Sequence, residues 1–503
     1  MYADGGSNGG FCGVQTGLPG RLVVVSNRTP ALADPEAAPS AGGLVSALYP
    51  TLTVQGGLWF GWSGHTRQQQ EQASVHKYSI GPVEFATVDL TEQEVAAFYS
   101  GFCNQTLWPL LHCFPSAVQW RGDDYHMYRR INQAFASQLF PLLRPSDVIW
   151  VHDYHLLPLG AALRRFGWRG RLGFFLHTPF PPLDIFTILP AAQHLLKDCT
   201  AYDLMGFHIQ RYLRNFSDAL TTELGGTIRA GVYQQSDCVV QLGAYAIGTD
   251  PDVFAHWASQ PQAVQRGERL RRSVGGRRII LGVDRLDYTK GIPERLRAFA
   301  CLLERYPSWR KRVVLIQISA PSRTTIPEYT ARKKAVEELV GNINGRFSDD
   351  DWIPIRYLYR TYSQEELAAF YRAADVCVVT PLRDGMNLVA KEYIAAQGST
   401  PGVLLLSQFC GAAEDLREAV LTNPYDIDGT AAQLNSALRL PLSARRARWL
   451  ALLTRVQTHT AYTWSQRFLV DLMQAGRSAS PPFQGKYYVE STSLATPTSS
   501  VAS

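Results

Sequence analysis

The chain has 503 residues, of which 46% are hydrophobic and 18% charged, and its formal net charge at pH 7 is +6. This length exceeds what one hydrophobic core usually organises, so we expect two domains. The composition excludes a disordered chain, and the sequence has no run of ~18 consecutive apolar residues that would predict a membrane span. The mild positive charge argues against nucleic acid as a partner and suits small phosphorylated ligands.

The two ends of the chain and its cysteines indicate an intracellular protein. Residues 1–20 lack a basic and then apolar signal pattern, so we expect a flexible leader and a cytoplasmic location. Residues 477–503 are rich in Ser, Thr and Pro, which predicts a disordered tail. The eight cysteines form no CxxC pair, which favours buried free thiols over zinc or disulfide chemistry.

The first strand is predicted in the β-rich run at residues 21–26, which delivers Arg28 to its carboxyl end. Gly43 follows another glycine at the start of a predicted helix, where a backbone could approach an anion, although such pairs are common in loops. Aromatic residues alternate with glycine at 56–64 and are dense from 98 to 120. These rings either line a core or stack on sugars, and the pattern leaves both readings open.

Two further buried strands are predicted at residues 147–151 and 172–176, and both end in histidine-containing segments. The first segment, HDYH, admits a metal site, but His152 and His155 lie at i and i+3 across a strand end without a fixed ligand frame. A third strand follows about 30 residues later, which fits βαβ units and a parallel sheet.

A second series of strands is predicted after a boundary between residues 244 and 254. Its first strand, at 278–282, leads to Arg285 and Lys290 and then to an amphipathic helix. The sequence therefore predicts an α/β protein with two Rossmann-like, doubly wound domains, at 21–248 and 249–476, that face each other across a cleft. The final helical stretch, roughly 442–474, is expected to pack back on the first domain.

The stretch 379–397, VTPLRDGMNLVAKEYIAAQ, predicts an anion site at the end of a strand. Asn387 is a good N-cap, so the free N–H groups near Leu388 and Val389 would point at a phosphate in front of the helix. The charged side chains around this turn, Arg383, Asp384, Lys391 and Glu392, strengthen the prediction of a functional site.

Eight motifs occur in one order: RLVVVSNR, SAGGL, GGLWFGWSG, HDYHLLP, GFFLHTPFP, RLDYTKGIPERL, APSR and VTPLRDGMNLVAKEY. This set resembles retaining trehalose-6-phosphate synthases of the two-domain GT-B glycosyltransferase type, over about residues 21–468. The resemblance implies transfer of glucose from UDP-glucose to glucose 6-phosphate with retention, giving α,α-trehalose 6-phosphate and UDP. Such an enzyme would serve trehalose biosynthesis and stress protection, without a metal or other cofactor.

The resemblance also implies roles for individual residues, carried over by position. Catalytic residues would be His177, Asp384, Arg285 and Lys290. Donor-binding residues would be Gly43, Arg285, Lys290, Tyr362, Asp384, Leu388, Val389, Ala390, Lys391 and Glu392. Acceptor-binding residues would be Arg28, Trp62, Tyr99, Trp108, Asp153 and Arg323. The family's front-face substitution, in which the leaving phosphate helps to deprotonate the attacking hydroxyl, would make Asp384 a sugar-binding group and not a covalent catalyst.

Some features depart from the family pattern or leave alternatives open. Asp284 stands where Glu often precedes the arginine, Thr178 replaces an apolar residue, and Tyr362 replaces a familiar Phe. The alternatives are a related synthase with another acceptor, of the glucosylglycerol-phosphate or validamycin type, and a non-catalytic regulatory subunit. We also expect a homo-oligomer, a trehalose-phosphate phosphatase as a separate protein, and domain closure about a hinge near Ile247.

Overall fold

The computed structural model describes residues 18–30, 43–71, 73–322 and 327–476. Most of the predicted leader, the predicted tail and Arg323 lie outside the described residues. The described chain forms two sheets with helices on both sides. None of the helices in these ranges is both long and apolar enough to cross a bilayer.

The ten strands of the first sheet are β1 (Leu22–Arg28), β2 (Gly57–Arg67), β3 (Val75–Ile80), β4 (Val83–Thr91), β5 (Val148–His152), β6 (Arg171–Phe175), β7 (Leu204–Phe207), β8 (Thr227–Arg229), β9 (Val232–Gln235) and β10 (Cys238–Ala244). The six strands of the second are β11 (Arg278–Arg285), β12 (Val313–Ala320), β13 (Ile355–Leu358), β14 (Val376–Val379), β15 (Val403–Ser407) and β16 (Val420–Thr422).

The helices that follow strands of the first sheet are α1 (Gly43–Gln55), α2 (Glu92–Glu94), α3 (Trp108–Leu111), α4 (Gly122–Leu139), α5 (Leu159–Arg165), α6 (Leu183–Phe186), α7 (Ala192–Cys199) and α8 (Gln210–Leu224), with a π-helix at Val95–Leu107. Those of the second part are α9 (Pro251–Ser259), α10 (Pro261–Ser273), α11 (Ile292–Arg305), α12 (Pro327–Phe347), α13 (Gln364–Ala373), α14 (Leu388–Ala395), α15 (Ala412–Asp415), α16 (Ile427–Arg439), α17 (Leu442–Thr458) and α18 (Ala461–Gln474).

The strand order of each sheet shows which carboxyl ends of strands are placed to bind a ligand. The second sheet runs β13-β12-β11-β14-β15-β16 with every neighbouring pair parallel, so the chain reverses direction across the sheet between β11 and β14. In the first sheet the same reversal falls between β1 and β5. Ligands of open α/β sheets bind outside the carboxyl ends of strands at such reversals. The topology therefore points to Arg28 and Asp153 on one sheet and Arg285 and Asp384 on the other.

The last part of the chain returns to the first sheet. The ring of Phe468 on α18 stacks on Trp150 of β5, with centroids 4.5 Å apart, and Ser465 shares a 3.0 Å hydrogen bond with Thr51 of α1. The stretch predicted as one final helix is two helices. The chain breaks at His459, and the Thr460 side chain caps α18 by accepting from the N–H of Thr463, which allows α18 to leave the second sheet for the first.

Candidate active site

A cavity of about 370 Å³ lies where the carboxyl ends of the two sheets face each other. Most of the residues predicted to bind a donor or to act in catalysis line it, namely Gly43, His177, Arg285, Lys290, Tyr362, Asp384, Leu388, Val389 and Glu392. Asp153, predicted to bind the acceptor, lines it as well. Walls from both sheets enclose the same space. The cavity can therefore hold a ligand that touches both halves of the protein.

A larger groove, of about 650 Å³, lies at the opposite edge of the first sheet, beside Val148 and Arg171 where β5 and β6 begin. Its one carboxylate, Asp147, is already paired with Arg21 at 2.8 Å. Because parallel sheets present their ligand sites at the carboxyl ends of strands, the smaller cavity is the candidate site.

Lys290 and Asp384 form the charged centre of the second-sheet wall. The Lys290 ammonium lies 2.6 Å from Asp384 Oδ2, and both side chains are largely buried. Burial acts to raise the pKa of Asp384, but the adjacent Lys290 outweighs it and holds this pKa below its ordinary value. Asp384 is therefore ionised at neutral pH, and Lys290 is held at the carboxyl ends of β11 and β14.

The amino terminus of α14 faces the same space. Asn387 adopts φ +86°, its side-chain oxygen accepts from the N–H of Ala390 at 3.4 Å, and its amide donates to Asp384 Oδ2 at 3.0 Å. Leu388 and Val389 line the cavity, and their N–H groups belong to the first turn of a helix, which leaves them without an intrahelical acceptor. The predicted N-cap is confirmed, and the turn presents donors to an anion.

Glu392 lies one turn further along α14 and lines the cavity although it is only 6% exposed. Its Oε2 accepts a 2.9 Å hydrogen bond from the Tyr371 hydroxyl. Burial raises the pKa of Glu392 to about 7, and hydrogen bonds from Tyr371 and Gln364 offset part of this shift.

Asp153 and His177 form the wall contributed by the first sheet. Asp153 has φ +74°, and its Oδ1 accepts from the His177 N–H at 3.2 Å. Burial raises the pKa of Asp153 to about 6, against backbone hydrogen bonds and the charge of Arg285. Burial lowers the pKa of His177 well below its usual value, and His208 adds to this, so the imidazole is neutral at pH 7. His152 shares a 3.1 Å hydrogen bond with His177 and fixes its ring.

Four of the predicted acceptor residues, Arg28, Trp62, Tyr99 and Trp108, do not line the cavity but lie along a continuous row of rings that leads to Arg285. Arg28 stands 5.8 Å from the ring of Trp62, which lies 6.0 Å from Tyr99, and Tyr99 stacks on His155 at 5.9 Å. The row continues from His155 through Tyr154 to Trp108, whose ring lies 6.0 Å from the Arg285 guanidinium. Of the two readings for the aromatic-rich segment, the core reading is confirmed for Phe98, Phe102 and Trp108, which are buried. Stacking of these rings or of Tyr99 on a sugar stays a prediction.

The structure brings the two sheets into contact around the site. A Cβ at Gly385 would overlap the carbonyl oxygen of His177, and one at Gly43 would come within 2.5 Å of Leu388 Cδ1. The Tyr212 hydroxyl also donates to the carbonyl oxygen of Asp384 at 2.8 Å. Glycine is required at 385, where a side chain would meet the backbone of the opposite wall, whereas the neighbour of Gly43 is the flexible end of the Leu388 side chain.

Two predicted donor-binding residues do not line the cavity. Ala390 is fully buried, and the Lys391 ammonium turns away to bind Asp415 Oδ2 at 2.7 Å and the carbonyl oxygen of Ile247 at 2.9 Å. Asp284, the departure before Arg285, is paired with buried Arg295 at 2.5 Å. The Lys391 side chain thus ties α14 to the segment at Ile247 and leaves the cavity to its neighbours, whereas Asp284 lines the cavity while its carboxylate is held by Arg295.

Sequence reasoning missed several residues at the site. His208 and Arg360 line the cavity just beyond the ends of β7 and β13, so the strand-end rule that selected Arg28 would have found both. His112 had no such signal: its ring packs 4.1 Å from that of Trp108, and burial lowers its pKa to about 4. Within the described ranges, no three His, Cys, Asp or Glu side chains are grouped to hold a metal ion.

Comparisons of the sequence and of the structure with known proteins identify the same protein family. Residues 20–474 match the model of glycosyltransferase family 20. The chain is 42% identical over 455 residues to the trehalose-6-phosphate synthase of Sinorhizobium fredii, covering 90% of this chain and 98% of that one. The Sodalis glossinidius trehalose-6-phosphate synthase is 41% identical over 457 residues, covering 90% and 96%.

Solved structures agree over the same span. The α,α-trehalose-phosphate synthase (UDP-forming) from Burkholderia xenovorans in complex with glucose-6-phosphate has a TM-score of 0.87 and 41% identity, covering 90% of this chain and all of that one. A structure described as trehalose-6-phosphate from E. coli bound with UDP-2-fluoro glucose has a TM-score of 0.86 and 39% identity, covering 91% of this chain and all of that one. The predicted GT-B architecture is confirmed.

Proposed function

We propose, from the premise that this chain belongs to glycosyltransferase family 20, that it is a trehalose-6-phosphate synthase. The enzyme transfers glucose from UDP-glucose to glucose 6-phosphate with retention and releases UDP. The observation that carries the proposal is the row of rings between Arg28 and Arg285. The row links Arg28 on the first sheet to Arg285 on the second, so the cations proposed for the acceptor phosphate and for the donor diphosphate belong to one connected set of contacts.

The donor lies against the second-sheet wall. Arg285, Lys290 and the N–H groups of Leu388 and Val389 supply positive charge for the diphosphate, and Glu392 accepts the ribose hydroxyls. Lys290 forms an ion pair with Asp384. Lys290 and Asn387 both donate to Oδ2 of Asp384, so Oδ1 would accept hydroxyls of the transferred glucose.

The acceptor lies against the first-sheet wall. Arg28 binds its phosphate together with Arg323, and the rings of Trp62, Tyr99 and Trp108 pack along the sugar. Asp153 accepts a hydroxyl from the acceptor. Neutral His177 then contacts the transferred glucose from this side with a hydrogen bond that adds no charge.

In the reaction the anomeric hydroxyl oxygen of glucose 6-phosphate forms a bond to C1 of the donor glucose. The bond from C1 to the β-phosphate oxygen breaks, and the proton of the attacking hydroxyl passes to that oxygen. Positive charge from Lys290, Arg285 and the helix terminus stabilises the leaving UDP as its negative charge grows. These groups supply the charge that a metal ion would otherwise provide, so we propose that none is required.

The test is to incubate the protein with UDP-glucose and either glucose 6-phosphate or glycerol 3-phosphate, and to identify the products. We expect UDP and α,α-trehalose 6-phosphate only with glucose 6-phosphate, and unchanged rates after treatment with EDTA. UDP release only with glycerol 3-phosphate would refute the proposal in favour of another acceptor, and no release with either would favour a regulatory subunit. The cytoplasmic location, the homo-oligomer and the separate phosphatase stay predictions.

A further inference from the structure

Glu392 is held in an unusual environment for a carboxylate that faces a ligand cavity. It is 6% exposed, and in the described part of the chain no lysine, arginine or histidine forms an ion pair with it. Two neutral side chains of α13 hydrogen-bond it, Gln364 and the fully buried Tyr371, whose hydroxyl lies 2.9 Å from Glu392 Oε2. The charge of Glu392 therefore depends on neutral hydrogen bonds.

The charged groups around Glu392 are already engaged or lie toward the diphosphate end of the cavity. Asp284 on β11 is paired with Arg295, Lys290 with Asp384, and Lys391 with Asp415. Arg285 and Arg360 line the same cavity, and the buried Cys377 thiol on β14 stays neutral because burial raises its pKa. None of these replaces the Tyr371 hydrogen bond at Oε2.

A phenol O–H donates a stronger hydrogen bond to an ionised carboxylate than to a protonated, neutral carboxyl group. The bond from Tyr371 therefore favours the ionised form of Glu392 and acts against burial, which raises the pKa of this group to about 7. Only the carboxylate can accept two hydroxyls of a ribose diol while it also accepts from Tyr371.

We propose that Tyr371 is a positioning residue that keeps Glu392 ionised and oriented for the ribose of the donor, so that donor binding weakens as the pH falls below neutrality. This inference rests on the proposed function, in which Glu392 binds the nucleotide ribose. It adds that the strength of donor binding is set by a hydroxyl that does not touch the donor.

The experiment measures UDP-glucose binding by calorimetry between pH 5.5 and 8.5, without acceptor, for the full chain and for Tyr371→Phe. The matched control is Tyr393→Phe, which also removes a buried hydroxyl, one that donates to the Ala374 carbonyl at 3.3 Å and not to Glu392. We expect a break near pH 7 in the wild type and the control. In Tyr371→Phe it should lie about one pH unit higher, with about tenfold weaker binding at pH 6 and nearly equal binding at pH 8.5.

A break at the same pH in Tyr371→Phe and in the wild type, or equal weakening at every pH, would overturn the inference. Glu392→Gln supplies a second variant, since it should bind UDP-glucose weakly and without a break, whether or not Tyr371 is present. A persisting break in Glu392→Gln would likewise overturn it. If the wild type binds UDP-glucose with the expected break but makes no trehalose 6-phosphate, the proposed function fails and the inference about Tyr371 stands.

Discussion

Replacing Lys290 by Met tests the charged centre of the site. The Lys290 ammonium and Asp384 Oδ2 lie 2.6 Å apart, which corresponds to a gross attraction of about 6 kcal/mol at an effective dielectric constant of 20. Desolvation of both groups offsets part of this, so breaking the pair should cost about 3 kcal/mol of unfolding free energy. The same change removes a cation from the leaving diphosphate, which should lower kcat/KM for UDP-glucose about 10²- to 10³-fold.

The double variant with Asp384→Asn separates the two effects, because it no longer leaves a buried carboxylate unpaired. Urea unfolding should show most of the stability restored, while a UDP-release assay with glucose 6-phosphate should show activity still lost. If Lys290→Met kept kcat/KM within about threefold of the wild type, or if the double variant regained activity, Lys290 would have no role at the diphosphate and the donor site would need another cation.

Three further predictions concern other parts of the site. Arg28→Ala should raise KM for glucose 6-phosphate at least about tenfold and leave UDP-glucose binding unchanged, because one charge-assisted phosphate contact is lost; steady-state kinetics with each substrate varied would show it. Lys391→Met should lower the unfolding free energy by about 3 kcal/mol, since buried Asp415 loses its lysine partner and keeps only His459. Adding Asp415→Asn should restore much of this stability in the same urea assay, and a selective change in donor KM would contradict the position of the Lys391 side chain. Without substrates, the protein should lose up to about 3 kcal/mol of unfolding free energy as the pH rises from 4.5 to 7. Folding raises the pKa of Glu392 from 4.5 to about 7, so in this range the folded state binds a proton that the unfolded chain releases. Glu392→Gln should flatten this part of the pH–stability curve.

Domain closure about a hinge near Ile247 stays a prediction, and the contacts across the cleft show which groups such a movement would separate. Gly385 packs on the His177 carbonyl and Gly43 approaches Leu388, so the described arrangement has the two walls in contact. Lys391 also ties α14 to the connecting segment at Ile247. A change in the angle between the sheets would therefore move the helix whose N–H groups we propose for the diphosphate.

Local sequence patterns were sufficient to predict the helices and strands and many of the residues of the site. Apolar runs predicted the strand at Val376–Val379, and the sequence of turn, Asn387 and apolar spacing predicted the start of α14. Strand-end logic selected Arg28, Arg285 and Asp384 before any contact was known, because in a parallel α/β sheet the carboxyl ends of strands meet at one edge. Asp153 came from the family resemblance. Ordered motifs then identified the family, which the comparisons confirm.

The sequence by itself determined which residues stand at the ends of strands, since that depends on short-range apolar and turn patterns. Only the tertiary structure decided where their side chains point and which groups they meet. Lys391 and Glu392 are neighbours on one helix, yet a rotation of about 100° per residue sends the first to Asp415 and the second into the cavity. Tyr371 reaches Glu392 from 21 positions away, and no local pattern contains such a contact, because it depends on how α13 and α14 pack together.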